Sequence, residues 1–258
     1  MMPIEVTLES GQYAIIVMAL LVAAAWFDEK NRCLLAGILL GISLLKPNIS
    51  APFCICFLVS GRFRTLVAAA GYVTAASVIT WIVTKTNPVE LLIQMQRTAD
   101  TFILDMPNVI KALTAFHVSI HSAVQLSAAG GLVLELVLLI PIRKANMLWQ
   151  YAIACVVARA WSYHRPYDDL MIVPLLIALG VLAARIPIRS IRVALFIAVG
   201  LTVWLPLTFK VRWPVVALQH VAWLAGLVIV VVSQYGSNST KDSPSPMPIR
   251  LTPLGPSR

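Results

Sequence analysis

Long apolar runs, separated by short charged or Pro-containing segments, recur along almost the whole chain. A hydrocarbon core about 30 Å thick needs about 20 helical residues to cross it, and backbone groups in lipid must bond within the segment. The runs do not alternate apolar with polar residues, so they predict an all-α, polytopic membrane protein. We predict about nine transmembrane helices, at residues 13–27, 33–45, 48–60, 65–84, 123–142, 147–161, 170–184, 193–209 and 214–232.

Composition agrees with this prediction and excludes a soluble nucleic-acid-binding protein. Residues of the AVILMFWYC set make up 59% of the chain and charged residues only 12%, against roughly half and a quarter in soluble domains. The net charge of +9 comes from cations dispersed singly or in pairs between apolar runs, which indicates topology rather than a phosphate-binding face. We therefore predict a multi-pass protein of the inner membrane.

The basic clusters set the predicted orientation and the domain limits. If the DEKNR linker faces the cytoplasm, then Arg62 with Arg64 and Arg143 with Lys144 face it too, as the positive-inside rule requires. Residues 1–235 then form one transmembrane domain. The segment 236–258 is rich in Pro and Ser and is predicted to be a disordered cytoplasmic tail.

Two of the predicted crossings are short, and a buried lysine lies between them. Residues 33–45 and 48–60 each supply only about 20 Å of helix, while both flanks are basic. We predict a V whose tip, Lys46-Pro47, stays below the outer surface, where an ammonium needs an anion or a wet cavity. A lipid phosphate would suit it. The alternative is one long kinked helix, which would put the basic flanks on opposite sides.

The segment 85–122 mixes apolar and polar residues and differs from its surroundings. Its first part has the helical spacing of an amphipathic helix that lies on the membrane. Further on, His117 and His121 are four apart and are predicted to share one helical face. Such a pair can bind zinc, but no HExxH glutamate or third ligand accompanies it, so we predict a structural or substrate-facing pair and no metal site.

The densest polar cluster is the turn SYHRPYDDL on the predicted outer face, which contains His164, Arg165, Tyr167, Asp168 and Asp169. Histidine and aspartate can accept a proton from a hydroxyl, whereas arginine and tyrosine can hold phosphate or sugar oxygens. A solvated loop is the alternative. Because a helix is predicted to begin directly after the turn, capping is favoured for Asp169, while Asp168 is open between capping and catalysis.

Two more polar residues approach the same face, and a third lies within a membrane run. Gln12 opens the first helix and Arg159 lies near the outer end of its helix. Each of these alone is more often an interfacial anchor than a ligand. Glu135 is an intramembrane acid about two turns from the cytoplasmic end of its run, where a basic partner or the protonated form is expected.

The stretches GQYAIIVMALLVAAAW and CLLAGILLGISLLKPNISAPFCICFLVSGRFR resemble glycosyltransferase family 87, within the type C membrane glycosyltransferases that use polyprenyl-phosphate sugars. In that family a Gly-Gln precedes a helix, an AGxxxG helix ends in Lys-Pro, and an Arg-rich turn follows. The matching positions here are Gly11-Gln12, Ala36-Gly37 to Gly41, Lys46-Pro47 and Arg62/Arg64. A later external turn of the form S-x-H-x-x-Y-D is similar to Ser162, His164, Tyr167 and Asp168.

The resemblance implies transfer of a hexose, mannose in the first instance, from a polyprenyl-phosphate donor to a lipid or glycan acceptor, with no metal cofactor. It implies that Lys46, helped by Arg159 or Arg165, holds the phosphate. Asp168 is the candidate catalytic carboxylate, with Gln12, His164 and Tyr167 as substrate-binding residues. A direct displacement would invert the anomeric carbon.

The resemblance also implies a catalytic aspartate in a first external loop, which follows an N-terminal helix. Before residue 13 this chain carries only Glu5 and Glu9 as acids. We therefore expect a chain that corresponds to the C-terminal two thirds of such an enzyme. The alternatives are a truncated product, a misassigned start, or half of a split enzyme whose partner supplies the missing part. Two rival interpretations are a lipid-linked-sugar flippase or transporter and a noncatalytic membrane subunit.

Overall fold

Helices are the only regular secondary structure in the described part of the chain. The computed structural model describes residues 13–100, 109–161, 166–185, 200 and 213–239. The α-helices are α1 (Ala14–Glu29), α2 (Cys33–Ser43), α3 (Pro47–Val59), α4 (Phe63–Thr84), α5 (Pro88–Asp100), α6 (Val109–Ala115), α7 (Ile120–Leu139), α8 (Met147–Trp161), α9 (Val173–Arg185) and α10 (Trp213–Ser239), with 3₁₀ turns at Ile140–Ile142 and Pro166–Ile172. The prediction of an all-α chain is confirmed for these residues.

Three of the described helices are long and apolar enough to cross a membrane, namely Phe63–Thr84, Ile120–Ile142 and Pro214–Tyr235. Shorter apolar helices lie between them, and the predicted crossing at residues 193–209 lies outside the described part apart from Gly200. The structure therefore supports a membrane protein without confirming the count of nine. The long helix α4 exposes much of its apolar surface, as lipid-facing helices do; Val83, for example, is 74% exposed.

The short helices α2 and α3 form the two arms of a V. Pro47 begins α3. Proline is suited to this position because a backbone N–H in the first turn has no hydrogen-bond partner within the helix, so its absence costs nothing. Asp28 precedes α2 and Arg62 follows α3, yet Nη1 of Arg62 lies 2.7 Å from Oδ2 of Asp28. The two basic flanks are thus on the same side. This contact agrees with the predicted V and is incompatible with one long kinked helix.

Glycines let α2 lie directly against α4. A Cβ on Gly37 would lie 2.4 Å from the Cβ of Ala68 and 2.6 Å from the carbonyl oxygen of Thr65. A Cβ on Gly41 would lie 2.7 Å from Cδ1 of Tyr72. Within lipid, where apolar burial drives no association, small residues allow the close van der Waals contact that holds helices together.

Helix α8 lies at the centre of the fold, in contact with α3, α7, α9 and α10. Every residue from Trp149 to Arg159 is buried. The Tyr151 ring packs edge-on against Phe53 with the centroids 4.8 Å apart, and its hydroxyl donates to the carbonyl oxygen of Leu21 at 3.1 Å. These contacts fix the rotation of α8 and, with it, the direction in which Arg159 points.

The predicted histidine pair is separated by a break in the helix. Helix α6 ends at Ala115 and α7 begins at Ile120, and His117 adopts the left-handed conformation with φ of 63°. The prediction that His117 and His121 share one helical face is wrong. The residues between α6 and α7 are not helical, and His117 itself has a left-handed backbone conformation. Nε2 of His121 instead contacts Nε2 of Gln125 one turn further along α7, at 3.0 Å.

Two predicted helix boundaries also change. The helix expected at residue 170 begins at Val173, because the preceding residues wind as the 3₁₀ turn Pro166–Ile172. The last helix continues to Ser239, so the first residues of the predicted tail, 236–239, are helical.

Candidate active site

Lys46 and Asp168 form an ion pair at the tip of the V. Lys46 occupies the N-cap position of α3 and is directed by the V into the protein. Its Nζ donates a short hydrogen bond to Oδ1 of Asp168, which lies in the 3₁₀ turn Pro166–Ile172. The Lys46 side chain is 16% exposed and that of Asp168 only 2%. An ammonium that is so little exposed needs an anion, and the Asp168 carboxylate supplies one.

A second ion pair lies beside the first. Nε of Arg159, near the end of α8, donates to Oδ1 of Asp169 at 2.7 Å. Nε2 of Gln219, from α10, donates to Oδ2 of the same carboxylate at 3.0 Å. The guanidinium carbon of Arg159 lies 5.4 Å from the ring centroid of Trp223, within cation–π range. Three elements thus position one buried arginine.

The 3₁₀ turn explains how two adjacent aspartates reach two different cations. With 3.0 residues per turn, consecutive side chains point about 120° apart around the axis. Asp168 therefore points to the tip of the V, while Asp169 points to α8 and α10.

Counted over the described residues, the two ion pairs hold two cations and two carboxylates, whose formal charges cancel. Buried ions are tolerated when they are paired and hydrogen-bonded in this way. Nη1 of Arg159 is buried and has no hydrogen-bond partner among the described residues. Because a buried N–H group without an acceptor is costly, this nitrogen is a ready donor to an oxygen that a ligand brings.

The structure brings together three of the residues that the sequence singles out: Lys46, Arg159 and Asp168. Gln12, His164 and Arg165 lie outside the described residues, as does the side chain of Tyr167, whose backbone is part of the 3₁₀ turn. The contacts do not test a role, so for all seven residues the predicted roles stay predictions.

The structure adds three residues to the cluster. The sequence favours a helix cap for Asp169, whereas its carboxylate is the counter-ion of Arg159. Gln219 and Trp223 were missed altogether. The available signal was an amide and an indole four residues apart in an apolar run, a spacing that places both on one helical face.

These features define an integral-membrane protein in which two buried pairs of a cation and a carboxylate lie side by side at the tip of the V. The sequence model of glycosyltransferase family 87 matches residues 1–184, most of the chain. The chain belongs to glycosyltransferase family 87, which confirms the resemblance found in the sequence. Lys46, Arg159 and both aspartates lie within the matched residues. Searches of curated proteins and of solved structures found no match.

Proposed function

We propose that this chain transfers a hexose, with mannose as the first candidate, from a polyprenyl-phosphate donor to a hydroxyl of a lipid or glycan at the external membrane face. Membership of a glycosyltransferase family supports the type of reaction. The observation that carries the proposal is the contact between Lys46 and Asp168 beside the Arg159–Asp169 pair. It joins an anion-binding cation to a carboxylate that can accept a proton.

The lipid phosphate is proposed to bind Lys46 in place of Asp168. An ammonium forms charge-assisted hydrogen bonds with phosphate as readily as with carboxylate. Nη1 of Arg159 offers a further donor without breaking the Nε contact to Asp169. Such fixed cations stabilise the charge that develops on a phosphate as it leaves. The proposed step therefore requires no metal ion.

The exchange would leave the carboxylate of Asp168 without its lysine. In the proposed step the acceptor oxygen forms a bond to the anomeric carbon, and the bond from that carbon to the phosphate oxygen breaks. The hydroxyl proton passes to Asp168, and the anomeric carbon is inverted. Donor binding and base activation would then be one event, since the same ammonium serves both anions in turn.

Asp169 and Gln219 are proposed as positioning residues that hold Arg159 in place. His164 and Tyr167 are proposed to bind the sugar or the acceptor, Arg165 to help hold the phosphate, and Gln12 to bind substrate from the same face. This assignment rests on the family motif, in which the turn before Asp168 carries the histidine and the tyrosine.

The test measures hexose transfer from a polyprenyl-phosphate donor in vesicles containing the full chain. Lys46→Ala is expected to lower the rate about 10²–10³-fold, the usual loss when a charge-stabilising donor is removed. Lys30→Ala is the matched control, because Lys30 is exposed in the linker after α1. Equal rates in the two variants would remove the phosphate assignment.

A second measurement separates the rival functions. Donor binding is followed by the quenching of tryptophan fluorescence, independently of transfer. Donor binding without transfer by the parent chain would favour a noncatalytic subunit or a lipid-linked-sugar transporter. Restoration of transfer on adding a partner that carries an acidic external loop would identify the subunit.

A further inference from the structure

A cavity lies between α3, α7 and α8, with a volume of about 380 Å³. Its walls are mostly apolar or small, as at Ala51, Ile55, Gly131 and Val157, and Asn48 adds a polar side chain. Cavities that bind small molecules fall in the range of about 300–1,000 Å³ and combine apolar walls with a few polar groups. The size and lining are therefore those of a ligand site.

The exceptional residue in this cavity is Glu135. It is 2% exposed, and its Oε1 has no hydrogen-bond partner in the described part of the chain. Ser127, Gly131 and Glu135 are four residues apart along α7, so the acid ends a face of small residues. Because a carboxyl group without a partner is costly in apolar surroundings, a ligand that supplies a donor is favoured here.

The acid lies away from the proposed transfer site. Ser60, just after α3, donates to Oε1 of Gln150 near the start of α8 at 2.9 Å, so α3 and α8 are antiparallel. Helix α7 is joined to α8 by a short turn and is antiparallel to it as well. Helices α3 and α7 thus run in the same direction.

The depth of Glu135 follows from this direction. The cavity begins beside Lys46, at Pro47 on α3, and Ser127 lines it on α7. The eight residues from Ser127 to Glu135 correspond to about 12 Å of helix. Glu135 is therefore about two turns deeper in the membrane than the ion pairs.

We infer that this cavity is a second ligand site, which takes an apolar molecule with one hydrogen-bond donor, a hydroxyl or an ammonium, bound to Glu135. A purely apolar chain would leave the carboxyl group without a partner, and an anionic head group would find no cation among the described residues that line the cavity. The inference does not depend on the proposed transfer reaction, because none of the residues in the ion pairs contributes to it.

The first test is carboxyl labelling with dicyclohexylcarbodiimide on the purified full chain in neutral detergent. The acid passes its proton to a carbodiimide nitrogen, its oxygen adds to the central carbon, and the acyl group then migrates to nitrogen to give a stable N-acylurea. Mass spectrometry of peptides is expected to find the label on Glu135. Glu29, which is exposed at the end of α1, is the internal control.

Competition then identifies the chemistry of the ligand. Octanol, octylamine, octane and octanoate are compared at equal concentration. At ten times its Kd a competitor slows the labelling of Glu135 about tenfold, and octanol or octylamine is expected to do so while octane and octanoate do not. The stronger of the two assigns a hydroxyl or an ammonium. No label on Glu135, or equal protection by octane, would overturn the inference.

A variant checks the inference without the reagent. Glu135→Leu replaces the acid by an apolar side chain and is expected to fold, since removing an unpaired buried acid is not destabilising. The protective octyl compound should raise the Tm of the parent chain but not that of Glu135→Leu. An equal rise in both proteins would contradict a role for the carboxyl group.

Discussion

Two regions of this molecule bury aspartates at opposite ends of the V, and they compensate the charge differently. At the flanks, Asp28 meets Arg62 at 2.7 Å and also accepts a short hydrogen bond from the hydroxyl of Thr65. At the tip, Asp168 and Asp169 each meet a cation of their own. Arg62 is 38% exposed, whereas Arg159 is only 7% exposed.

This difference separates a structural contact from an exchangeable one. Water can reach Arg62, so the flank pair fastens α1 to the start of α4 without depending on any single bond. At the tip the partners are enclosed, and the loss of one leaves a bare charge in apolar surroundings. Nη1 of Arg159 at the tip has no hydrogen-bond partner within the part of the chain that the structure describes. We call Lys46, Asp168, Arg159 and Asp169 the tip cluster, and Asp28 with Arg62 the flank pair. We therefore expect the tip cluster to be more sensitive to mutation than the flank pair, and to be the one that responds to an anion.

The largest effect is expected for Asp169→Asn. Arg159 would keep its charge and lose its counter-ion, which costs about 3–5 kcal/mol when the pair is buried. Urea unfolding of the purified protein, followed by tryptophan fluorescence, measures the loss. The double variant Arg159→Met with Asp169→Leu should recover most of it. A loss for Asp169→Asn no larger than that for Asp28→Asn would break the comparison.

A smaller loss is expected for Gln219→Leu, which removes the amide hydrogen bond to Asp169. A hydrogen bond to a charged group is worth about 1.5–3 kcal/mol. The control is Gln125→Leu, because Gln125 is an exposed amide on a comparable helix, where substitutions stay within about 0.5 kcal/mol. Equal unfolding midpoints for the two variants would exclude Gln219 from the tip cluster.

Gly37→Ala tests the packing beside the flank pair. The added Cβ would lie 2.6 Å from the carbonyl oxygen of Thr65, which belongs to backbone and cannot move aside. Overpacking of this kind costs about 1–3 kcal/mol. At Gly71, also on a helix, nothing lies within 4 Å of the added Cβ, and Gly71→Ala should be neutral or stabilising by about 1 kcal/mol. Thermal unfolding in detergent compares the pair of variants.

The smallest effect is expected for Arg62→Ala. Thr65 still donates to Asp28, and water can replace the guanidinium, so the loss should be about 1 kcal/mol. Arg64→Ala, which removes an exposed neighbour, serves as the reference. If the unfolding free energy fell by as much as it does for Asp169→Asn, the flank and the tip would belong to one class of ion pair.

The sequence predicted the V and the side on which its tip lies. Basic residues on both flanks of two short apolar runs leave few topologies, because positive charges collect on one side of a membrane. That reasoning put Lys46 on the same side as the turn that contains Asp168, although 122 positions separate them along the chain. The family followed from short motifs in the same region, and its sequence model agrees.

Local conformation and exact partners could not be read in the same way. The break between His117 and His121 depends on the left-handed backbone conformation of His117. The sequence has no glycine there that would have indicated such a conformation. The 3₁₀ turn after Pro166 shifted the start of α9 and turned Asp169 toward Arg159. The hydropathy pattern shows that a helix ends or begins in each of these two segments, but it does not show the backbone conformation there.

Hydropathy and charge alone were enough to make this chain a helical membrane protein with a lysine held below the surface, because lipid forbids unpaired backbone and sorts cations to one side. Only the tertiary structure shows that Lys46 pairs with Asp168 and that Asp169 binds both Arg159 and Gln219. It also shows that Glu135 lines a cavity. Those pairings depend on the rotation and depth of each helix relative to its neighbours. Rotation and depth are set by contacts such as that of Gly37 in α2 with helix α4 and that of Tyr151 in α8 with Phe53 in α3. These contacts join segments that are far apart in the chain.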